Sequence, residues 1–330
     1  MKNRIEYIDF LKFIGLLGII IAHVESPNWL MMIRSFDVPL MVIISSLLAS
    51  YSIKKYNFDC KSIISYYISR FKRLVFPTWI FLIIYFIFRF VFMNELMNIS
   101  YYLDTFLLTR YGFGYVWIIL IYLYCALLIP IFRFMGFNKK SIMIVLVVYL
   151  LYEILYYFGI GTTSKLIDTT LFYVIPYGLL TFIGFNYEKI SNKKRIVLMI
   201  FSFFIFTVLV YYYYVNTGSF QLVSVVKYPP RAYYLSYGLL CSILLMIIFN
   251  KINLKIFKNK VIVFISKHSM WIYLWHILVL DIYQCLHLPE LWYVKLLIVY
   301  IGACIIVYII NKILDIIERK HKYKFFEYLR

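Results

Sequence analysis

Apolar stretches closed by charged or turn-forming residues follow one another along this chain. Ten stand out, at residues 8–23, 36–53, 74–93, 115–132, 142–158, 171–187, 196–215, 232–249, 261–283 and 292–314. An α-helix needs about 20 mainly apolar residues to cross a bilayer, and each stretch approaches that length. The pattern predicts an all-α fold: a polytopic integral membrane helix bundle of about ten transmembrane helices, forming a single domain over residues 1–330. The sixth stretch is the least regular, because Pro176, Gly178 and Gly184 interrupt it. Proline is tolerated inside a span where neighbouring helices satisfy the freed carbonyl. The first stretch follows Lys2 and Arg4 as a signal peptide would, but no small-residue cleavage site succeeds it, so it reads as a retained helix.

Composition turns this pattern into an exclusion. Hydrophobic residues make up 64% of the 330 and charged residues 15%. A soluble core cannot hide that much apolar surface, so large soluble domains are ruled out. The net charge of +19 would suggest nucleic acid in a soluble protein. Allocating the 34 Lys and Arg to loops gives another explanation. With the N-terminus in the cytoplasm, 25 fall in inside segments, including Lys322, Lys324 and Arg330, and only 5 fall outside: Arg34, Arg110, Lys165, Lys227 and Arg231. That alternation follows the positive-inside rule and places both termini in the cytoplasm, with no nucleic-acid partner. The inside segment from Lys54 to Arg73 mixes basic and apolar residues, and reads as an interfacial helix lying on anionic lipid headgroups. The five cysteines form no Cys-x-x-Cys pair, so neither a disulfide framework nor a metal site is expected.

Ionisable residues inside spans are costly, which makes each a functional candidate. They are Asp9, Lys12, His23, Arg89, Glu153, His268, His276 and Asp281. By the topology above, His23, Arg89, Glu153, His276 and Asp281 lie toward the outer face, and the simplest account is a shared hydrated cavity opening outward. Lys12 and His23 are three turns apart on one helix face, about 16 Å along the axis. Asp9 and Lys12 have the spacing of a local ion pair. Glu153 stands among Tyr149, Tyr152, Tyr156 and Tyr157, and its carboxylate needs a partner, for which Arg89, His23 and the tyrosines are candidates. In Trp271-Ile272-Tyr273-Leu274-Trp275-His276, a core histidine bonded to a neighbouring helix is the simpler reading. Lys227-Tyr228-Pro229-Pro230-Arg231 places two cations in an outer loop stiffened by paired prolines.

Several of these motifs together resemble the acyltransferase 3 family, the integral membrane acyltransferases that O-acetylate bacterial surface glycans. Ile8-Asp9-Phe10-Leu11-Lys12 through Ala22-His23 is similar to the family's opening motif, with Lys12 where arginine is usual. Phe36-Asp37-Val38-Pro39-Leu40 with Ile44-Ser45, Arg70-Phe71-Lys72-Arg73, Tyr115-Val116-Trp117, Lys227-Tyr228-Pro229-Pro230 and Ile272-Tyr273-Leu274-Trp275-His276 are similar to later signatures. The resemblance runs from residue 5 to about 310. It implies a membrane-embedded O-acyltransferase, most simply an O-acetyltransferase of the bacterial cytoplasmic membrane. The donor would be cytoplasmic acetyl-CoA, its phosphates held by Arg70, Lys72 and Arg73. The acceptor would be a hydroxyl of a surface glycan or lipid-linked saccharide precursor. His23 would act as general base, with Glu153 and Lys12 as catalytic companions and Glu153 a candidate to orient His23. Lys227, Arg231, Arg89 and His276 would contact substrate. Whether His23 instead carries the acyl group stays open, as does oligomeric state.

Two other readings compete. Ten spans, a polar cavity and interrupted helices also describe a transporter or exporter of a polysaccharide or its precursor. Against it, no inverted repeat is detectable, and a carrier has no use for Arg70-Phe71-Lys72-Arg73. A noncatalytic subunit of a glycan-assembly complex would tolerate substitution of His23.

Overall fold

The computed structural model describes residues 6–57, 59–252 and 255–320. Lys2, Arg4, Lys322, Lys324 and Arg330, counted above as inside cations, lie outside the described residues. The described chain is helical: α1 (Glu6–Ile21), α2 (Asn28–Arg34), α3 (Asp37–Ser52), α4 (Cys60–Met93), α5 (Ile99–Phe106), α6 (Trp117–Met135) and α7 (Lys139–Tyr157) are followed by α8 (Lys165–Thr169), α9 (Leu171–Phe185), α10 (Asn192–Thr217), α11 (Ala232–Lys251), α12 (Lys260–Lys267), α13 (Ser269–Cys285) and α14 (Trp292–Lys320). Every predicted stretch falls on one of these helices or on two in succession.

Among the described residues, eight helical segments are long and apolar enough to cross a membrane, and the bent pair α12 and α13 makes a ninth if it is one span. The remaining predicted span, the first, corresponds to α1, whose 16 residues fall short of a full crossing. The protein is therefore a multi-pass membrane protein with eight or nine candidate spans, against the ten predicted. Its outer helices show why lipid is required. Only 6% of the apolar window of α10 and 11% of that of α7 is buried by protein. Phe201, Phe203 and Phe204 stand exposed on α10, a placement stable only where the surrounding solvent is hydrocarbon.

One expectation needs correction. The stretch from Lys54 to Arg73 does not form a separate connecting helix, because α4 runs unbroken from Cys60 through Arg70, Lys72 and Arg73 to Met93. At 1.5 Å per residue its 34 residues are about 51 Å long, more than the roughly 30 Å hydrocarbon core needs. The basic turn thus belongs to the same helix as the third apolar stretch.

By their contacts the described residues divide into two compact units, those within 1–26, 68–120 and 254–330, and those within 27–67 and 121–253. In the first, α1 packs against α12, α13 and α14, and α13 against α14. A Cβ on Gly302 of α14 would stand 3.1 Å from Val279, so the missing side chain admits α13. α12 and α13 meet at His268 with an 84° bend, and the Asn259 side chain accepts a bond from the Val261 amide to cap α12. α1 stops at Ile21, and Glu25, in the left-handed region at φ 55°, turns the chain away.

In the second unit, α3 packs against both α9 and α11, and α10 against α11. A Cβ on Gly184 would lie 2.4 Å from the Ile43 carbonyl oxygen, and one on Gly238 would lie 2.3 Å from Pro39. Both glycines therefore exist for backbone approach to α3. This accounts for the irregular sixth stretch: α9 continues through Pro176 and Gly178, and Gly184 serves its neighbour rather than breaking its own helix.

Candidate functional site

In the first unit, His23 lies in the turn closing α1, its amide bonded to the Ile20 carbonyl at 2.9 Å. Its ring lies edge to edge with that of His276 from α13, with centroids 5.1 Å apart and planes 13° from parallel. His23 Nδ1 and His276 Nε2 are 2.8 Å apart, a hydrogen bond. His276 is fully buried, and its Nδ1 bonds to the Tyr273 carbonyl one turn earlier. Tyr115 closes edge-on against His23 at 4.7 Å, and the Tyr273 hydroxyl donates to the Tyr115 carbonyl. Two histidines that are 253 residues apart in sequence thus share one aromatic pocket.

Below His276 on the same helix, Asp281 anchors α13 to α4. Its Oδ2 accepts from the Tyr85 hydroxyl at 2.7 Å and from Arg89 Nη1 at 3.1 Å. Arg89 also donates to the Tyr85 hydroxyl at 2.7 Å, and through Nε and Nη2 to Glu95. Arg89, expected at the substrate, is therefore engaged by two protein carboxylates and holds the helix that carries His276. A further ion pair sits beside the turn after α1, where Lys295 Nζ of α14 reaches Glu25 Oε1 at 3.0 Å. Lys295 is buried, whereas the Glu25 side chain is 67% exposed.

Lys12 and Asp9 converge on α12. Lys12 Nζ donates to the Ser266 carbonyl at 2.5 Å, and Ser266 Oγ donates to Asp9 Oδ1 at 2.5 Å. These bonds fix the start of the bend between α12 and α13. Three turns of helix separate Lys12 from His23, so the structure does not bring them together. Arg70 and Arg73, three residues apart, share a face of α4, with Lys72 and Arg73 exposed.

The second unit has its own polar group. Glu153 of α7 accepts from Arg231 Nε at 2.6 Å, from the Ala232 amide at 2.8 Å and from the Tyr149 hydroxyl at 2.7 Å. The Arg231 guanidinium lies 4.1 Å from the Tyr156 ring centroid, and the Tyr152 hydroxyl donates to the Pro230 carbonyl at 3.0 Å. Glu153, expected to orient His23, is thus engaged at the start of α11, and the partner at His23 Nδ1 is His276. The tyrosines of 149–157 do supply partners, as their clustering suggests. Lys227 is buried, 5.4 Å from the Tyr228 ring centroid and within electrostatic reach of the buried pair Arg34–Asp37. Burial pushes its ammonium down to about 8, with Asp37 opposing the shift and Arg34 adding to it.

Sequence reasoning passes over Tyr85, Glu95, Ser266 and Glu25, and names Tyr273, Arg34 and Asp37 without their contacts. Arg34 and Asp37 have the i, i+3 spacing of neighbours and bond at 2.6 Å. That spacing is a legible signal, but the loop count of cations reads Arg34 as topology alone. Tyr85 and Ser266 are ordinary span residues in sequence, and only contacts across helices reveal them.

No curated protein and no solved structure matches the chain. The profile of the acyltransferase domain family, in contrast, matches residues 5–314, which include every candidate residue placed above. The chain belongs to the acyltransferase 3 family, as a multi-pass membrane acyltransferase.

Proposed function

We propose that the protein is an O-acyltransferase that moves an acetyl group from acetyl-CoA to a hydroxyl of a surface glycan or its lipid-linked precursor, with His23 as general base. The observation that carries this reading is the setting of His23 itself. An imidazole held at Nδ1 by a second imidazole and edged by Tyr115 has a fixed orientation, which general-base catalysis requires before pKa matters. His23 takes the proton of the acceptor hydroxyl as its oxygen attacks the thioester carbonyl. Collapse of the tetrahedral intermediate breaks the C–S bond, and the CoA thiolate recovers that proton from the imidazolium.

The donor is read from α4. Arg70 and Arg73 on one helix face, with Lys72 between them in sequence, make a strongly cationic turn of a helix longer than one crossing needs. Guanidinium pairs of this kind suit the phosphates of a coenzyme A. On this reading α4 extends into the cytoplasm, both termini share that side, and the membrane is the bacterial cytoplasmic membrane. Lys227 and Arg231 belong to the acceptor side. Arg231 is tied to Glu153, so it shapes the loop, and Lys227 is the better candidate for contact with the glycan.

The test compares surface glycans from cells expressing the intact protein or His23→Ala, with membrane abundance measured for both. Loss of O-acetyl groups by mass analysis in the variant is the expected result. Equal acetylation at equal abundance refutes the assignment.

A further inference from the structure

The contact between the two histidines dictates where their protons are. The Tyr273 carbonyl only accepts hydrogen bonds, so the bond to it requires a proton on His276 Nδ1. A neutral His276 then carries a lone pair on Nε2. The 2.8 Å approach of His23 Nδ1 to that atom needs one proton between the two nitrogens, and only His23 is left to supply it. His23 therefore holds its proton on Nδ1 and its lone pair on Nε2.

We propose that His276 is a positioning residue for His23, accepting the Nδ1–H of His23 so that Nε2 is kept as the nitrogen that takes the acceptor's proton. This rests on the reading of His23 as the base and deepens it. The arrangement resembles other catalytic histidines held by an acceptor at Nδ1, where a wrong tautomer costs orders of magnitude in turnover although every atom is in place. Here the acceptor is an imidazole rather than a carboxylate, and the backbone carbonyl of Tyr273 fixes its tautomer in turn. The chain of bonds runs from Tyr273 through His276 to His23.

The surroundings support a dedicated role. His276 is fully buried in α13, and the rotation of that helix is set by Asp281 bonding to Tyr85 and Arg89 on α4. Tyr273 is held a second time, through its hydroxyl on the Tyr115 carbonyl. The far ring nitrogen of His276 is thereby aimed at His23 from two directions.

Two polar substitutions separate positioning from packing. Glutamine at 276 places a carbonyl oxygen near the former Nε2, whereas asparagine reaches only the former Nδ1 and keeps the bond to Tyr273 alone. Leucine removes both. The full-length protein is measured in lipid nanodiscs for acetyl transfer, and by nitrogen NMR of histidine-labelled samples, its five histidines assigned by single replacement. His276→Gln is expected to keep most of the turnover, while His276→Asn and His276→Leu lose about 100-fold or more with donor KM unchanged. The wild-type spectrum is expected to show His23 protonated on Nδ1. A wild-type His23 protonated on Nε2 overturns the proposal, as does wild-type turnover in both His276→Asn and His276→Leu. Activity that survives His23→Ala would instead remove the base assignment, leaving the tautomer measurement to decide the pair independently.

Discussion

Replacing Lys227 with methionine removes an ammonium from a buried position while keeping an unbranched stem of similar length. In the folded protein this group is pushed from the ordinary lysine value of 10.5 down to about 8, chiefly by burial. A lowered lysine pKa means that the unfolded chain binds more protons than the folded one between those two values. Stability therefore rises with pH across that window, and the penalty for burying the charge is fully present below about pH 8. At about 1.4 kcal/mol per tenfold, the gap amounts to about 3 kcal/mol. Lys227→Met is expected to raise the apparent melting temperature at pH 7 by several degrees. The advantage shrinks between pH 8 and 10.5 and vanishes above it. The assay is thermal unfolding of both proteins in the same detergent over that range, with the difference between them cancelling all other titrating groups. A difference that is constant from pH 7 to 10.5 would refute the reasoning, because a buried ammonium must leave a pH-dependent gap. Acceptor binding gives a companion readout: if Lys227 touches the glycan, the stabilised variant transfers more slowly.

Gly184→Ala would set a methyl 2.4 Å from the Ile43 carbonyl oxygen, which is backbone and cannot give way cheaply. A loss of about 1–3 kcal/mol is expected, seen as lower membrane abundance and earlier melting. Gly114→Ala, whose Cβ would meet nothing within 4 Å, serves as the unaffected control. Glu153→Gln keeps a polar group for the Ala232 amide but leaves Arg231 without its charge partner. It should cost about 1–3 kcal/mol, and pairing it with Arg231→Met should recover part of that loss in a double-mutant cycle.

Much of the candidate site is legible in the amino-acid order. His23, His276, Arg89, Glu153 and Lys227 stand out because an ionisable side chain in or beside an apolar run is expensive and needs a reason to be there. Their partners are not legible. Nothing in the run around Asp281 names Tyr85, and nothing in α1 names Ser266, because these pairs lie 196 and 257 residues apart in sequence. The long basic segment misleads for a related reason: local composition shows an amphipathic pattern, but whether a helix ends or continues into the next span depends on what it packs against.

What the amino-acid order by itself determined is the solvent. An apolar content of 64%, cut into stretches of spanning length, admits only a helical membrane protein, since each helix closes its own backbone bonds locally. The tertiary structure alone decided which costly residues meet. It paired His23 with His276, and gave Glu153 to Arg231 and Arg89 to Asp281 and Glu95. The reason is range: hydropathy and helix formation act over one to five turns. A hydrogen bond 2.8 Å long between side chains on distant helices exists only once the packing of those helices has set their depth and rotation.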